Sequence, residues 1–156
     1  MKFFFHTTLI APLISFLKQG LSPEKLALSI AFGVAFGIFP VIGVTTLLCT
    51  LAVLVIRLNM PATQLINYFV TPLQLILLIP FVRLGEFLFN EPTLPLNVLQ
   101  ILGMIRSDLF GAVNFLWWTT LHAIVAWMFI GPVLIGILYY ILVPIFTHLS
   151  QQIAEE

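Results

Sequence analysis

Charge is what this chain has least of. Six Lys and Arg stand against six Asp and Glu, together 8% of 156 residues. Soluble domains run nearer ~25% charged. So few ionic groups cannot cover the surface of a water-soluble globule whose hydrophobic residues make up 61%. A bilayer removes that constraint by solvating apolar side chains. Zero net charge leaves no long-range field to gather nucleic acid or acidic ligands. Cysteine is nearly absent as well. Cys49, alone within an apolar run, excludes an intrachain disulfide framework and a cysteine metal centre. Catalytic constellations are missing too: no paired acidic motif, no metal-ligand spacing, no glycine-rich phosphate loop before a lysine, no Ser-His-Asp set. The expectation is an all-α membrane protein that is not an enzyme and holds no metal or cofactor. Its partners would be membrane lipids and, beyond them, a homo-oligomer or a membrane enzyme.

The apolar residues fall into segments broken by proline and glycine. The first, Phe3 to Leu17 after Lys2, is interrupted by His6, Thr7, Thr8 and Pro12, and Lys18-Gln19-Gly20 follows in place of a small-residue cleavage site. Polar residues within it favour a retained interfacial helix over 1–20. Ser22-Pro23-Glu24 is a helix start, with a capping hydroxyl, proline at the first helical position and an acid at the positive end of the dipole. From Leu26 to Ile56 there is no charge. One helix of that length would be roughly 46 Å long at ~1.5 Å per residue, against a hydrocarbon core of ~30 Å. Pro40 and Gly43 interrupt it at the centre, and Thr45 or Thr46 could cap a new helix. Each half, about 20 Å long, is too short to cross, which predicts a re-entrant hairpin with Lys25 and Arg57 at its two ends on the cytoplasmic side.

A second segment over 61–89 carries Thr71-Pro72, expected to break it, and Pro80, expected to kink it. Two broken segments then occupy 22–89, and Lys25, Arg57 and Arg83 share one side. After a loop at 90–95, the spacing of Asn97, Gln100, Arg106 or Ser107, and Asn114 predicts an amphipathic surface helix over 95–116, with Trp117 and Trp118 at its end in a headgroup belt. The run over 117–148 is one kinked span or a hairpin turned at Gly131-Pro132, the hairpin being favoured.

Three groups of residues could carry function. Ser29, Gly33 and Gly37, four apart, let helix backbones approach closely in lipid. Packing is the ordinary role of such a row, and a cavity wall the functional one. The break at Pro40 and Gly43, with Thr45 and Thr46 beside it, frees backbone polar groups that protein or water must satisfy. Asn67, Thr71 and Gln74 form a polar cluster around Pro72 that could face the first break across a substrate site. Arg83 and Glu86, three apart, are placed to pair at an interface. His122 reads as a buried histidine hydrogen-bonded to a helix backbone.

From Ser22 to Gly85 the chain resembles the uncharacterised bacterial membrane family catalogued as domain of unknown function 2062. The resemblance is carried by Ser22-Pro23-Glu24-Lys25-Leu26-Ala27, by Gly33, Gly37, Pro40, Gly43 and Thr45 in order, by Arg57, Asn59 and Pro61, by Asn67, and by Arg83-Leu84-Gly85. Where the family has an Asn-Pro-x-Thr turn, this chain keeps Asn67 but places Tyr68 and Val70 in the next positions, with Thr71-Pro72 after them. The resemblance implies a bacterial cytoplasmic-membrane protein and no particular activity. Two readings follow from the residues: a small transporter or lipid-handling protein with its site between the two broken helices, or a membrane scaffold assembling with itself or with an envelope-biosynthesis enzyme.

Overall fold

A computed structural model describes residues 11–91, 103 and 106–154. The chain is an all-α membrane protein. Two of its helices, Met60–Phe89 and Phe110–Ala154, are long and apolar enough to cross a membrane by length and composition. Large apolar side chains such as Val55, Ile76, Phe129 and Tyr140 stand exposed on the outside of the bundle, as lipid-facing residues do.

Helix α1, Ala11–Lys18, falls within the segment 1–20 expected to form an N-terminal helix, of which residues 1–10 lie outside the described residues. Gly20, at φ +87°, closes it: the Gly20 and Leu21 amides donate back to the Leu17 and Phe16 carbonyls. Helix α2, Pro23–Gly37, begins as the sequence implies, with Pro23 in its first turn and the Ser22 hydroxyl accepting from the Lys25 amide at 3.3 Å. The chain then breaks at residues 38–44, with Gly43 at φ +87°. Helix α3, Thr45–Ile56, turns back. Its N-cap is Val44, which offers no side-chain bond, so neither Thr45 nor Thr46 caps it. Asn59 starts helix α4, Met60–Phe89, by accepting from the Ala62 amide at 2.8 Å.

Helix directions follow from the contacts. Ser29 meets Asn59, Gly33 meets Thr63 and Ile66, and Gly37 meets Asn67. This constant offset makes α2 and the first half of α4 parallel. Thr50 reaches Gln64 and Thr46 reaches Asn67, so α3 runs antiparallel between them. Thus α2 and α3 form a hairpin with Lys25 and Arg57 at its open end, as expected. The last helix, α5, Leu109–Ala154, packs antiparallel on α2 and α4. Gly85 lets it approach: a Cβ there would lie 2.7 Å from the His122 carbonyl carbon. At its far end Phe146 joins Leu13, Leu17, Leu26 and Ala27 in the core.

Three expectations are corrected. The chain does not break at Thr71-Pro72: α4 runs through it and through Pro80 as one helix. The Thr71 hydroxyl donates to the Asn67 carbonyl within the helix instead of capping a new one. Arg83 therefore lies at the opposite end of α4 from Arg57, not on a shared side. Nor does α5 turn at Gly131-Pro132. Gly131 instead makes room for an indole, since a Cβ there would come within 2.9 Å of the Trp127 ring. Of the amphipathic helix expected over 95–116, residues 95–102 and 104–105 lie outside the described residues, while 109–116 belong to α5. Asp108 caps α5, its carboxylate accepting from the Gly111 amide at 2.9 Å. Trp117 and Trp118 consequently sit within α5, exposed.

Candidate functional site

A helix end leaves its last carbonyls without intrahelical donors, and α2 ends inside the bundle. The Val34 carbonyl accepts from the Ile38 amide and the Phe36 carbonyl from the Phe39 amide. Trp127 of α5 serves Ala35, its indole N–H donating to that carbonyl at 3.0 Å. Its ring stacks on Phe36 and meets Phe39 edge-on. Past the end of α2, Gln74 of α4 takes over. Its Nε2 donates to the Phe39 carbonyl at 2.8 Å and the Val41 carbonyl at 3.3 Å. The break is therefore clamped from two sides, by α5 and by α4.

Beside the break lies a half-buried amide chain between α3 and α4, with Asn67 at its buried end. Gln64 Nε2 donates to the Thr46 carbonyl at 3.2 Å and to Thr50 Oγ1 at 3.1 Å. Asn67 Nδ2 donates to Gln64 Oε1 at 3.2 Å and to Thr46 Oγ1 at 3.4 Å. Amide orientations are inferred from such networks, and here the network dictates them. The Thr46 carbonyl can only accept, so Gln64 must turn its NH₂ toward it. Gln64 Oε1 then faces Asn67, which must present its own NH₂. Asn67 Oδ1 is thereby forced to the other side, toward Gly37. Asn67 is 1% exposed, and Oδ1 has no hydrogen-bond partner among the described residues. A Cβ on Gly37 would meet Oδ1 at 3.4 Å, ordinary contact, so the notch there is about one methyl group wide.

Of the residues singled out from the sequence, Thr46, Asn67 and Gln74 converge on the break, while Pro40 and Thr45 are buried at it. Gly43 and Thr71 are exposed and stand outside the buried cluster. The row of Ser29, Gly33 and Gly37 faces α4 within the chain. Ser29 Oγ donates to the Lys25 carbonyl and accepts from the Asn59 amide at 2.9 Å, tying the two ends of the hairpin together. Gln64 and Thr50 escape the sequence reading although they orient Asn67. The available signal was Gln64 three residues before Asn67, a spacing that puts two amides on one helix face.

On the α5 side of α2, Phe32, Phe36, Trp127, Met128, Pro132 and Ile135 line an open apolar groove of about 460 Å³. At the far end of α4, Arg83 pairs with Glu86 at 2.8 Å as its spacing suggests, with the Glu86 side chain 4% exposed. His122 stacks on Phe89, ring centroids 4.1 Å apart, and no hydrogen bond joins its ring to a backbone among the described residues.

Residues 7–155 match the family model of domain of unknown function 2062, described as an uncharacterised protein conserved in bacteria. The chain belongs to that family. No curated protein and no solved structure matches it.

Proposed function

We propose that this chain is a small multi-pass protein of the bacterial cytoplasmic membrane that transports or otherwise handles a lipid or lipid-linked substrate. Its site lies where the α2–α3 hairpin meets α4, and no covalent bond is made or broken there. In this reading α4 and α5 span the bilayer, and the hairpin enters from the Lys25 and Arg57 side and returns to it. Depth supports this. Gln74, which holds the break, is the fifteenth of the thirty residues of α4, so the break lies level with the middle of a helix roughly 45 Å long at ~1.5 Å per residue. Polar backbone at such depth persists where it lines a cavity or is buried in protein. Transporters build substrate sites from such broken helices.

The observation that carries the reading is Asn67 Oδ1, a fully buried acceptor with no donor among the described residues, beside an irregular stretch of backbone. Leaving such a group unpaired costs ~1–3 kcal/mol, a cost that a ligand hydroxyl, ammonium or water would offset. The apolar groove on the other side of α2 gives an acyl chain a place to lie close to the break. The scaffold reading rests on small-residue faces and on the lack of catalytic motifs, and the row of Ser29, Gly33 and Gly37 packs on α4 inside the chain.

The test is transport of fluorescent phospholipid and lipid-linked sugar in vesicles containing the full chain. Asn67→Ala and Gly37→Leu should lose most of the activity, while Ile145→Ala on the exposed face of α5 should keep it. Correctly folded Asn67→Ala and Gly37→Leu proteins working at the full rate would remove the site assignment.

A further inference from the structure

We infer that a second copy of this chain covers the hairpin tip, the same way up, so that two tips meet near the middle of the bilayer. The inference rests on the half-depth placement proposed above. At the tip Ile42 is 63% exposed and Gly43 is exposed. Helix α3 begins there on Val44 without a side-chain cap. The first-turn amides of a helix have no intrahelical acceptors, and those of α3 find none elsewhere among the described residues. The Ile42 and Gly43 carbonyls likewise accept no bond among them. Gln74 serves only the inner carbonyls, those of Phe39 and Val41.

Acyl chains cannot satisfy free donors and acceptors, and lipid-exposed irregular backbone does not occur within the hydrocarbon region. Among the described residues no second break covers the first, because α4 runs unbroken through Thr71-Pro72. A second copy supplies one. The tip carries free amides and free carbonyls together, so it is self-complementary, as a two-fold interface requires. The apolar stripe of Leu47, Leu51, Leu54 and Val55 continues from Ile42 along the outer face of α3 and stands exposed among the described residues. It extends the contact below the tip. Lys18, Lys25 and Arg57 crowd the open end of the hairpin, so both copies take the same orientation.

Cysteine cross-linking of the full chain in native membranes tests this, in a Cys49→Ala background. A short thiol-to-thiol reagent should convert Ile42→Cys to covalent dimer several-fold more than Ile141→Cys, which is also exposed but lies on α5. Leu47→Cys, one turn into α3, should cross-link as well and covers the case in which the tip substitution fails to fold. Lys25→Cys should label with an impermeant reagent from one face only. If Ile42→Cys and Leu47→Cys form no more dimer than Ile141→Cys while Lys25→Cys and Arg57→Cys label from a common face, the second copy is refuted and the re-entrant reading stands. Strong dimer with Lys25→Cys labelled about equally from both faces would overturn the shared orientation. Lys25→Cys and Arg57→Cys labelling from opposite faces would remove the re-entrant reading and this inference with it.

Discussion

Gly33 and Gly37 occupy equivalent places on one helix face, yet they do different things. A Cβ on Gly33 would sit 2.8 Å from the Thr63 carbonyl oxygen and 2.9 Å from the Ile66 Cβ, closer than packed atoms come. Backbone and a β-branched side chain cannot yield cheaply there. On Gly37 the same atom would find ordinary contacts at 3.4 Å with Asn67. Gly33→Ala should therefore destabilise by ~1–3 kcal/mol, the usual cost of overpacking. Gly37→Ala should be neutral or slightly stabilising, since alanine is favoured over glycine in a helix by ~1 kcal/mol. Thermal unfolding in detergent measures both. Equal losses would contradict the close approach at Gly33. The free Oδ1 of Asn67 belongs to this scale too, because it follows from the acceptor-only nature of one carbonyl two links away, that of Thr46.

At the scale of elements, the hairpin turn that Pro40 and Gly43 begin is held in place from outside, by α4 and α5. Gln74→Leu keeps the bulk and removes the donor from the Phe39 and Val41 carbonyls. The expected cost is ~1–3 kcal/mol for buried acceptors left unpaired. Hydrogen exchange at residues 38–44 should quicken while the amides of α5 hardly change. An unchanged rate at 38–44 would mean that the clamp is not needed. The start of α2 and the break after it are legible in the sequence because their causes are local: Ser22 and Pro23 at the cap, Pro40 and Gly43 at the turn. Thr71-Pro72 and Gly131-Pro132 send similar local signals with a different outcome. Around Pro72, Asn67 and Gln74 reach sideways to Thr46 and to the break, and these contacts hold α4 as one rod. Gly131 gives up its side chain to seat Trp127, whose indole serves α2 more than ninety residues away in sequence. Such long-range uses of a residue leave no trace in its neighbours. The polar pair Asn67 and Gln74 was visible as a cluster, but the helix it would face was visible only as a break.

For the whole molecule, everything turns on how the hairpin lies in the membrane. The parallel register of α2 and α4 puts Lys25 beside Arg57, and the unbroken α4 puts Glu91 at the other end. The most direct measurement is the labelling of single cysteines at positions 25, 57 and 91 with an impermeant thiol reagent, applied from each face of the membrane in a Cys49→Ala background. The re-entrant account predicts that positions 25 and 57 label from one face and position 91 from the opposite face. Labelling of 25 and 57 from opposite faces would contradict it, because the first broken segment would then cross the bilayer.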